Sequence, residues 1–261
     1  MIDDKAYVDP HAKIADNVEI GPWAWVGPGV EIGSGSTVGA NAVIKGRTTI
    51  GENNQIMAFA MVGGDPQHLG YKGEETVLVI GNNNVIREYA SIHRGTVQGG
   101  GKTQIGDHNY FMAYSHVGHD CRVGNHCIFA NNAGLAGHVE IGDYIIFSAY
   151  SGIHQFCRIG SYAFIGRAAK IYKDIPAYMM VTGNPGCPTG VNLVGLKRHG
   201  FDNKTLRVIK RAFLLIYRSG KSLEDLRKSL NQLVSESSSI SLIVEAFDHT
   251  TRGVERHQYR H

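Results

Sequence analysis

Four histidines, His116, His119, His138 and His154, lie within a short stretch of the chain. A neutral imidazole can take a proton near pH 7, and several imidazoles together can also hold zinc. One buried histidine is more often structural than catalytic, so the spacing of the four decides what they suggest. Counting 18 residues from His119 reaches Gly137, and another 18 reaches Gln155. The same count from His116 reaches Gly134 and then Gly152. If 18 residues make one structural repeat, His119, Gly137 and Gln155 stack on one face, with His138 and His154 each one residue away. Two glycines above His116 leave room for a ligand, because a glycine lets another group approach the backbone. Asp120 follows the central histidine directly. On a flat strand its side chain points to the opposite face, so any contact with His119 requires a corner there or a partner chain.

An 18-residue repeat is what the flanking sequence encodes. Every sixth residue from Val8 to Val62 is aliphatic. The beat resumes at Ile80, Ile86 and Ile92, then runs from Ile105 to Ile171 through Phe111, Val117, Val123, Phe129 and Leu135. This period is neither that of a helix nor that of a single strand. It fits a triangular parallel β-solenoid in which three hexads make one coil and the aliphatic residue of each points inward. Coils stack at about 4.8 Å, so about eight coils would stand roughly 35–40 Å tall. The corners call for backbone angles that Gly, Asn and Asp tolerate, and Asn53-Asn54 and Asn82-Asn83-Asn84 suit them.

Two segments leave the beat, residues 63–79 and 93–103, and a solenoid accommodates such insertions as external loops. The fold class predicted is mainly β: a β-helix over residues 1–189 carrying both loops, then a small α-helical C-terminal domain over 190–261. In that domain Asp202 caps a helix with an apolar face of Leu206, Ile209, Phe213 and Ile216, ended by Ser219-Gly220. Ser222 to Asp225 resembles a capping box before Leu226, Leu230 and Leu233, and a third helix is expected over 240–249.

The composition is 43% hydrophobic and 19% charged, typical of a soluble globular chain. The 33 glycines follow no period of three, which excludes collagen. The first residues lack the features of a signal peptide, and the apolar stretch 212–217 is far too short to cross a bilayer. Cys121, Cys127, Cys157 and Cys187 form no C-x-x-C pair and read as reduced core fillers, which favours a cytoplasmic setting. From Leu196 onward 13 Lys/Arg face 7 Asp/Glu, a basic end that suits an acidic partner. No aromatic platform is interleaved with these basic residues, so nucleic acid is not an expected partner.

Together, the stretches Ile92 to Gly101, His116 to Cys121, Ala130 to Ala133, Leu135 to His138, His154 to Cys157, Gly190 to Asn192 and Gly195 to Arg198 resemble one family over essentially the whole chain. It is the UDP-N-acetylglucosamine O-acyltransferases, which begin lipid A synthesis. The resemblance implies a left-handed β-helix, an exception to the usual right-handed crossover. It implies a homotrimer with sites between subunits and a 3-hydroxyacyl donor carried on the phosphopantetheine arm of acyl carrier protein. No cofactor, metal or membrane insertion is implied. The roles it assigns are His119 as the base that takes the proton from the sugar 3-position, Asp120 as its orienting acid, and the Gly137 N–H as oxyanion donor. His116, His138, His154 and Gln155 match positions that bind sugar and phosphate. Asn192 and Arg198 match positions near the nucleotide and donor arm. Met112 and Arg167 fall at positions that gauge the acyl chain.

The chain departs from the family pattern at several places. Gln67 is kept, but His68 and Gly70 stand where the family has an acid and a lysine, and Lys72 is the nearby substitute for that lysine. Val194 replaces an acidic residue and His199 an arginine. Loss of charged contacts alters the grip on the acceptor, which raises a 3-amino analogue of the UDP-sugar as the alternative acceptor. Arg167 replaces a small residue, so a relatively short acyl chain is expected. Rival readings are a zinc enzyme of the trimeric carbonic anhydrase type, the later N-acyltransferase of lipid A synthesis, and a purely structural solenoid.

Overall fold

The computed structural model describes residues 1–256; the last five residues, including Arg260 of the basic tail, lie outside the described residues. The chain winds into a parallel β-helix of triangular section. Face I holds nine strands, from Tyr7–Val8 to Lys170–Ile171, and face II eight, from Lys13–Ile14 to Arg158–Ile159. Face III begins at Glu19–Ile20 and has ten, ending in the antiparallel hairpin Met179–Thr182 and Cys187–Val191. Most strands are two residues long, with the hexad aliphatic buried and its predecessor turned outward. Register across coils therefore follows the 18-residue count: His116 pairs with Gly134, Gly134 with Gly152, and Gly152 with Lys170. Inside, the aliphatic columns are continuous, and Phe111, Phe129 and Phe147 stack at 4.7 Å between ring centroids. Burying side chains of this size contributes about 1.5–3 kcal/mol each.

The corners differ from the sequence expectation. Asn53 and Asn83 do adopt φ of 56° and 57°, but most non-glycine residues at left-handed φ are aromatic or histidine. Tyr114 and Tyr150 on the III→I corner, His126, Tyr144 and Tyr162 on the II→III corner, and Asp120, His138 and Phe156 on the I→II corner all have φ near +60°. A left-handed residue costs about 1–2 kcal/mol. Ring stacking between coils, worth about 0.5–1.5 kcal/mol per pair, offsets much of that. His108, His126, Tyr144 and Tyr162 form such a column, with centroids 4.7 to 4.9 Å apart. The expected asparagines also serve inside: Asn54, Asn84 and Asn109 make a buried ladder in which each Oδ1 accepts a backbone N–H of the next coil.

The excursions from the stack span residues 65–76 and 94–101, because strands Met61–Gly64, Val77–Ile80 and Lys102–Ile105 reclaim the flanking residues. Arg94 ties the loops together. Its buried guanidinium donates to Gly63 O, Asp65 Oδ1 and Tyr71 OH.

Among the described residues four α-helices follow, one more than the three expected: α1 Leu193–Arg198, α2 Asn203–Arg218, α3 Leu223–Val234 and α4 Ser241–Asp248. The additional helix is α1, which is too short to show an apolar period. Asp202 caps α2 by accepting from Thr205 N–H, and Ser222 caps α3 by accepting from Asp225 N–H. Their apolar faces close over Leu206, Ile209, Phe213, Leu226, Leu230, Ile243 and Phe247. No helix among the described residues is long and apolar enough to cross a membrane.

Candidate active site

A cleft of about 550 Å³ runs along the outer side of face I, lined by Gln67, His116, His119, Gly134, Gly137, Gly152, His154, Gln155, Lys170 and Tyr172, among others. The column His116, Gly134, Gly152, Lys170 forms its floor. A Cβ at Gly134 would meet only the His116 Cβ, at 3.8 Å, so the missing side chain opens directly into the cleft.

His119 and Asp120 meet within one chain, because Asp120 occupies a corner with φ of 62°. The turn brings its Oδ2 to 2.7 Å from His119 Nδ1. Asp120 is itself held on both oxygens: Thr96 N–H donates to Oδ1 and Thr96 Oγ1 to Oδ2, each at 2.7 Å, while Asp120 N–H donates to Thr103 Oγ1. A buried carboxylate is tolerated when hydrogen-bonded in this way. It also fixes the proton of His119 on Nδ1, leaving Nε2 as the ring's acceptor.

Gly137 lies one coil beyond His119. A Cβ there would sit 2.6 Å from His119 Cε1 and 2.7 Å from Nε2, so only glycine leaves the imidazole in place. Its N–H donates to no acceptor among the described residues. An unspent N–H one coil from a basic nitrogen is the arrangement an oxyanion requires.

The other histidines are packed around this pair. His138 lies edge-on to His119 at 5.1 Å and stacks on Phe156 at 4.4 Å. Burial lowers its pKa, and the nearby Asp120 carboxylate opposes that effect. His116 bonds Ser91 Oγ through Nδ1 at 2.8 Å, and burial, then His93 and His119, push its pKa down to about 4. His93 donates from Nδ1 to Asp65 O, and burial lowers its pKa as well. His119, Asp120 and His138 present possible metal-ligand atoms within 4.8 Å of one another. The Asp120 oxygens are already taken by Thr96 and His119. His119 and Asp120 form a hydrogen-bonded pair, and His138 Nε2, 3.6 Å from Asp120 Oδ2, stands beside it.

His68 lies edge-on to His119 at 5.5 Å, with Gly70 N–H donating to its Nδ1 at 3.2 Å. A Cβ at position 70 would lie 2.9 Å from His68 Cε1. The two departures are thus one change: Gly70 lets His68 fold back toward the base. Gln67 lines the cleft, whereas Lys72 does not. The Lys72 backbone is engaged with the Glu74 carboxylate.

Five further residues singled out in the sequence lie outside the cleft of the single chain. Asn192 caps α1, accepting from Gly195 N–H and donating to Tyr162 O. Arg198 is exposed at the end of α1, and His199 packs edge-on against Tyr144 and Tyr162. Met112 and Arg167 sit at the III→I corner, across face I from the Asp120 corner. Sequence reasoning missed Thr96, Ser91, Lys170 and Tyr172. Lys170 was within reach, one more count of 18 beyond Gly152. Thr96 lies in the matched stretch Ile92 to Gly101, but its contact with Asp120, across a separation of 24 residues, is off the coil period.

The fold and cleft are those of a left-handed β-helix transferase built from hexapeptide repeats. The family profile for bacterial transferase hexapeptide repeats matches residues 11–46 and 102–137, and that for domain 2 of the UDP-N-acetylglucosamine O-acyltransferases matches 174–255. An acyl-[acyl-carrier-protein]–UDP-N-acetylglucosamine O-acyltransferase of Pseudomonas entomophila is 47% identical over 98% of this chain and 99% of its own. The enzyme so named from Halorhodospira halophila is 52% identical, covering 76% of this chain and 77% of its own. The crystal structure of the Francisella novicida UDP-N-acetylglucosamine acyltransferase superposes with a TM-score of 0.97 at 39% identity, covering 99% and 95% of the two chains. The chain belongs to the acyl-[acyl-carrier-protein]–UDP-N-acetylglucosamine O-acyltransferases.

Proposed function

We propose that the chain transfers a 3-hydroxyacyl group from the phosphopantetheine thioester of acyl carrier protein to the 3-hydroxyl of UDP-N-acetylglucosamine, opening lipid A synthesis in the cytoplasm. The observation that carries this is the His119–Asp120 pair, fixed by Thr96 one coil from an unspent Gly137 N–H. His119 Nε2 takes the proton of the 3-hydroxyl as that oxygen bonds to the thioester carbonyl carbon. The carbonyl oxygen, now negative, accepts from Gly137 N–H. Collapse re-forms the carbonyl and breaks the C–S bond, and the imidazolium returns its proton to the departing thiolate. A positioned base contributes about 10² to 10⁴ in rate. Gln67, His116, His154 and Gln155 of the cleft wall, with His138 beside His119, would surround the acceptor, and exposed Lys204, Arg207, Lys210 and Arg218 of α2 offer positive charge to the acidic carrier.

The working form is a homotrimer. The outer side of face III is apolar at Ile128, Ile146 and Phe164, and the III→I corner beside it exposes Tyr114 and Tyr150 by more than half. Such a surface on a soluble protein calls for a partner. A neighbouring copy covering it would bring Met112 and Arg167 to the cleft, with Arg167 shortening the acyl groove.

Transfer by wild type and His119→Ala, with hydroxyacyl carriers of several lengths and both UDP-N-acetylglucosamine and its 3-amino analogue, tests the reading. Wild-type transfer that collapses in the variant is expected. Transfer undiminished in His119→Ala would overturn the assignment of the base. A strong preference for the 3-amino acceptor would identify the coupled His68 and Gly70 change as a specificity device.

A further inference from the structure

The cleft ends at His154, Gln155, Lys170 and Tyr172, and the segment after α4 returns to this end. It is fastened to Asp174, which is fully buried. Asp174 Oδ2 accepts from Thr250 Oγ1 at 2.6 Å, its N–H donates to Gly253 O at 3.0 Å, and its carbonyl accepts from Glu255 N–H at 2.9 Å. Its Oδ1 accepts from Arg158 N–H, joining the segment to face II of the solenoid. Burial raises the Asp174 pKa, with those hydrogen bonds opposing the shift. A buried carboxyl is costly without such partners.

These fastenings lie on both sides of Arg252 and fix where its side chain begins. Its Nη2 lies 3.2 Å from His154 Nδ1 and 3.5 Å from Tyr172 O. His154 Nδ1 is also 3.2 Å from the Gln155 carbonyl oxygen. The nitrogen cannot serve both neighbours. Carrying a proton it donates to Gln155 O; bare, it accepts from Arg252. A cationic donor makes the stronger bond, roughly twice that of a neutral pair.

We propose that Arg252 is a positioning residue for His154: by donating to Nδ1 it selects the tautomer whose Nε2–H is free to bond an acceptor oxygen of the sugar nucleotide. The inference rests on the acyltransferase reading for its ligand but not for its geometry. Asp174 and Thr250 act one step further out, as the clamp that holds Arg252 in place. No motif singled out in the sequence includes these residues, which lie 76 and 98 positions apart from their partners in the chain.

The test uses the full chain with ¹⁵N-labelled histidine. Long-range ¹H–¹⁵N spectra report which His154 nitrogen carries the proton, with His154→Gln supplying the assignment. Wild type is expected to show the Nε2–H form. Arg252→Ala should move the population toward Nδ1–H and raise the acceptor KM about tenfold, the loss of about one hydrogen bond, with kcat within about twofold. Arg252→Lys should recover part of both effects, and Thr250→Val should give a smaller shift in the same direction. The proposal is overturned if Arg252→Ala leaves the His154 tautomer unchanged, or if kcat falls while KM stays constant. A tautomer shift in a protein that transfers no acyl group would refute the proposed reaction and leave the positioning role standing.

Discussion

The corners on either side of face I use the same backbone device for opposite ends. Both place side-chain-bearing residues near φ of +60°. At the I→II corner this turns Asp120 inward to a fully satisfied position beneath His119, and His138 against Phe156. At the III→I corner it turns Phe59, Tyr89, Tyr114 and Tyr150 outward, about half exposed, with the first three stacked at 5.2 and 5.0 Å. The left-handed turn alone therefore does not mark a site. What differs is the company: the I→II corner is overlaid by the loop that carries Thr96, and the other is left open for a surface to cover.

Breaking the I→II corner should have the larger effects. Gly137→Ala puts a methyl group against the base and hinders approach to the oxyanion donor, and kcat should fall about 10²- to 10³-fold, with thermal unfolding close to wild type. Steady-state kinetics beside a melting curve would check it, and a wild-type kcat would remove Gly137 from the mechanism. Thr96→Val removes one donor from the buried Asp120 carboxylate but keeps the backbone one. We expect kcat to drop about tenfold, with Thr96→Ser restoring it, since a bond to a buried charge is worth about 1.5–3 kcal/mol.

The same region predicts a pH dependence. His116 titrates at about 4 in the fold rather than 6.5. Between those values the unfolded chain binds a proton that the native chain does not, so unfolding gains favour as pH falls. Stability should be fully present above pH 6.5 and decline toward pH 4, by up to about 3 kcal/mol. Urea titrations across this range should show the slope, and His116→Asn should reduce it to the part that His93 and His138 contribute.

The III→I corner should respond differently. Tyr114→Ser together with Tyr150→Ser should weaken self-association, read by sedimentation at low concentration, while the His119 environment stays intact. Self-association of unchanged strength would place the contact elsewhere. The smallest effect belongs to Arg167→Gly at the same corner: acyl preference should shift toward longer chains with little change in rate.

How much was legible follows from which contacts obey the period. The stacking of Gly137 on His119 and the glycine floor above His116 came from counting 18 residues, because strand pairing enforces that register. The Asp120 contact was foreseen only as a choice between a corner and a partner chain, and the structure resolves it as a corner. Thr96 and Arg252 were hidden because a loop and a C-terminal segment reach the site across separations of 24 and 98 residues, unrelated to the coil. The aromatic corners left a trace, Tyr114 and Tyr150 with His126, Tyr144 and Tyr162 at multiples of 18, but local steric preference argues against bulky residues at positive φ. Helix α1 is hidden in the sequence because six residues are too few to show an apolar period.

A stack of parallel strands has two terminal edges, and unpaired edges are where sheets recruit further strands and grow into fibrils. Here the C-terminal one is closed from within, whereas Tyr7–Val8 and Lys13–Ile14 of the first coil pair on one side only among the described residues. At one end residues 1–3 fold onto the first coil, with an Ile2–Ile20 bridge and Asp3 N–H donating to Ile20 O. At the other, the Met179–Val191 hairpin reverses strand direction and the helices pack over it. The cap ends strand pairing at the C-terminal edge, so a further strand cannot extend the stack from that end.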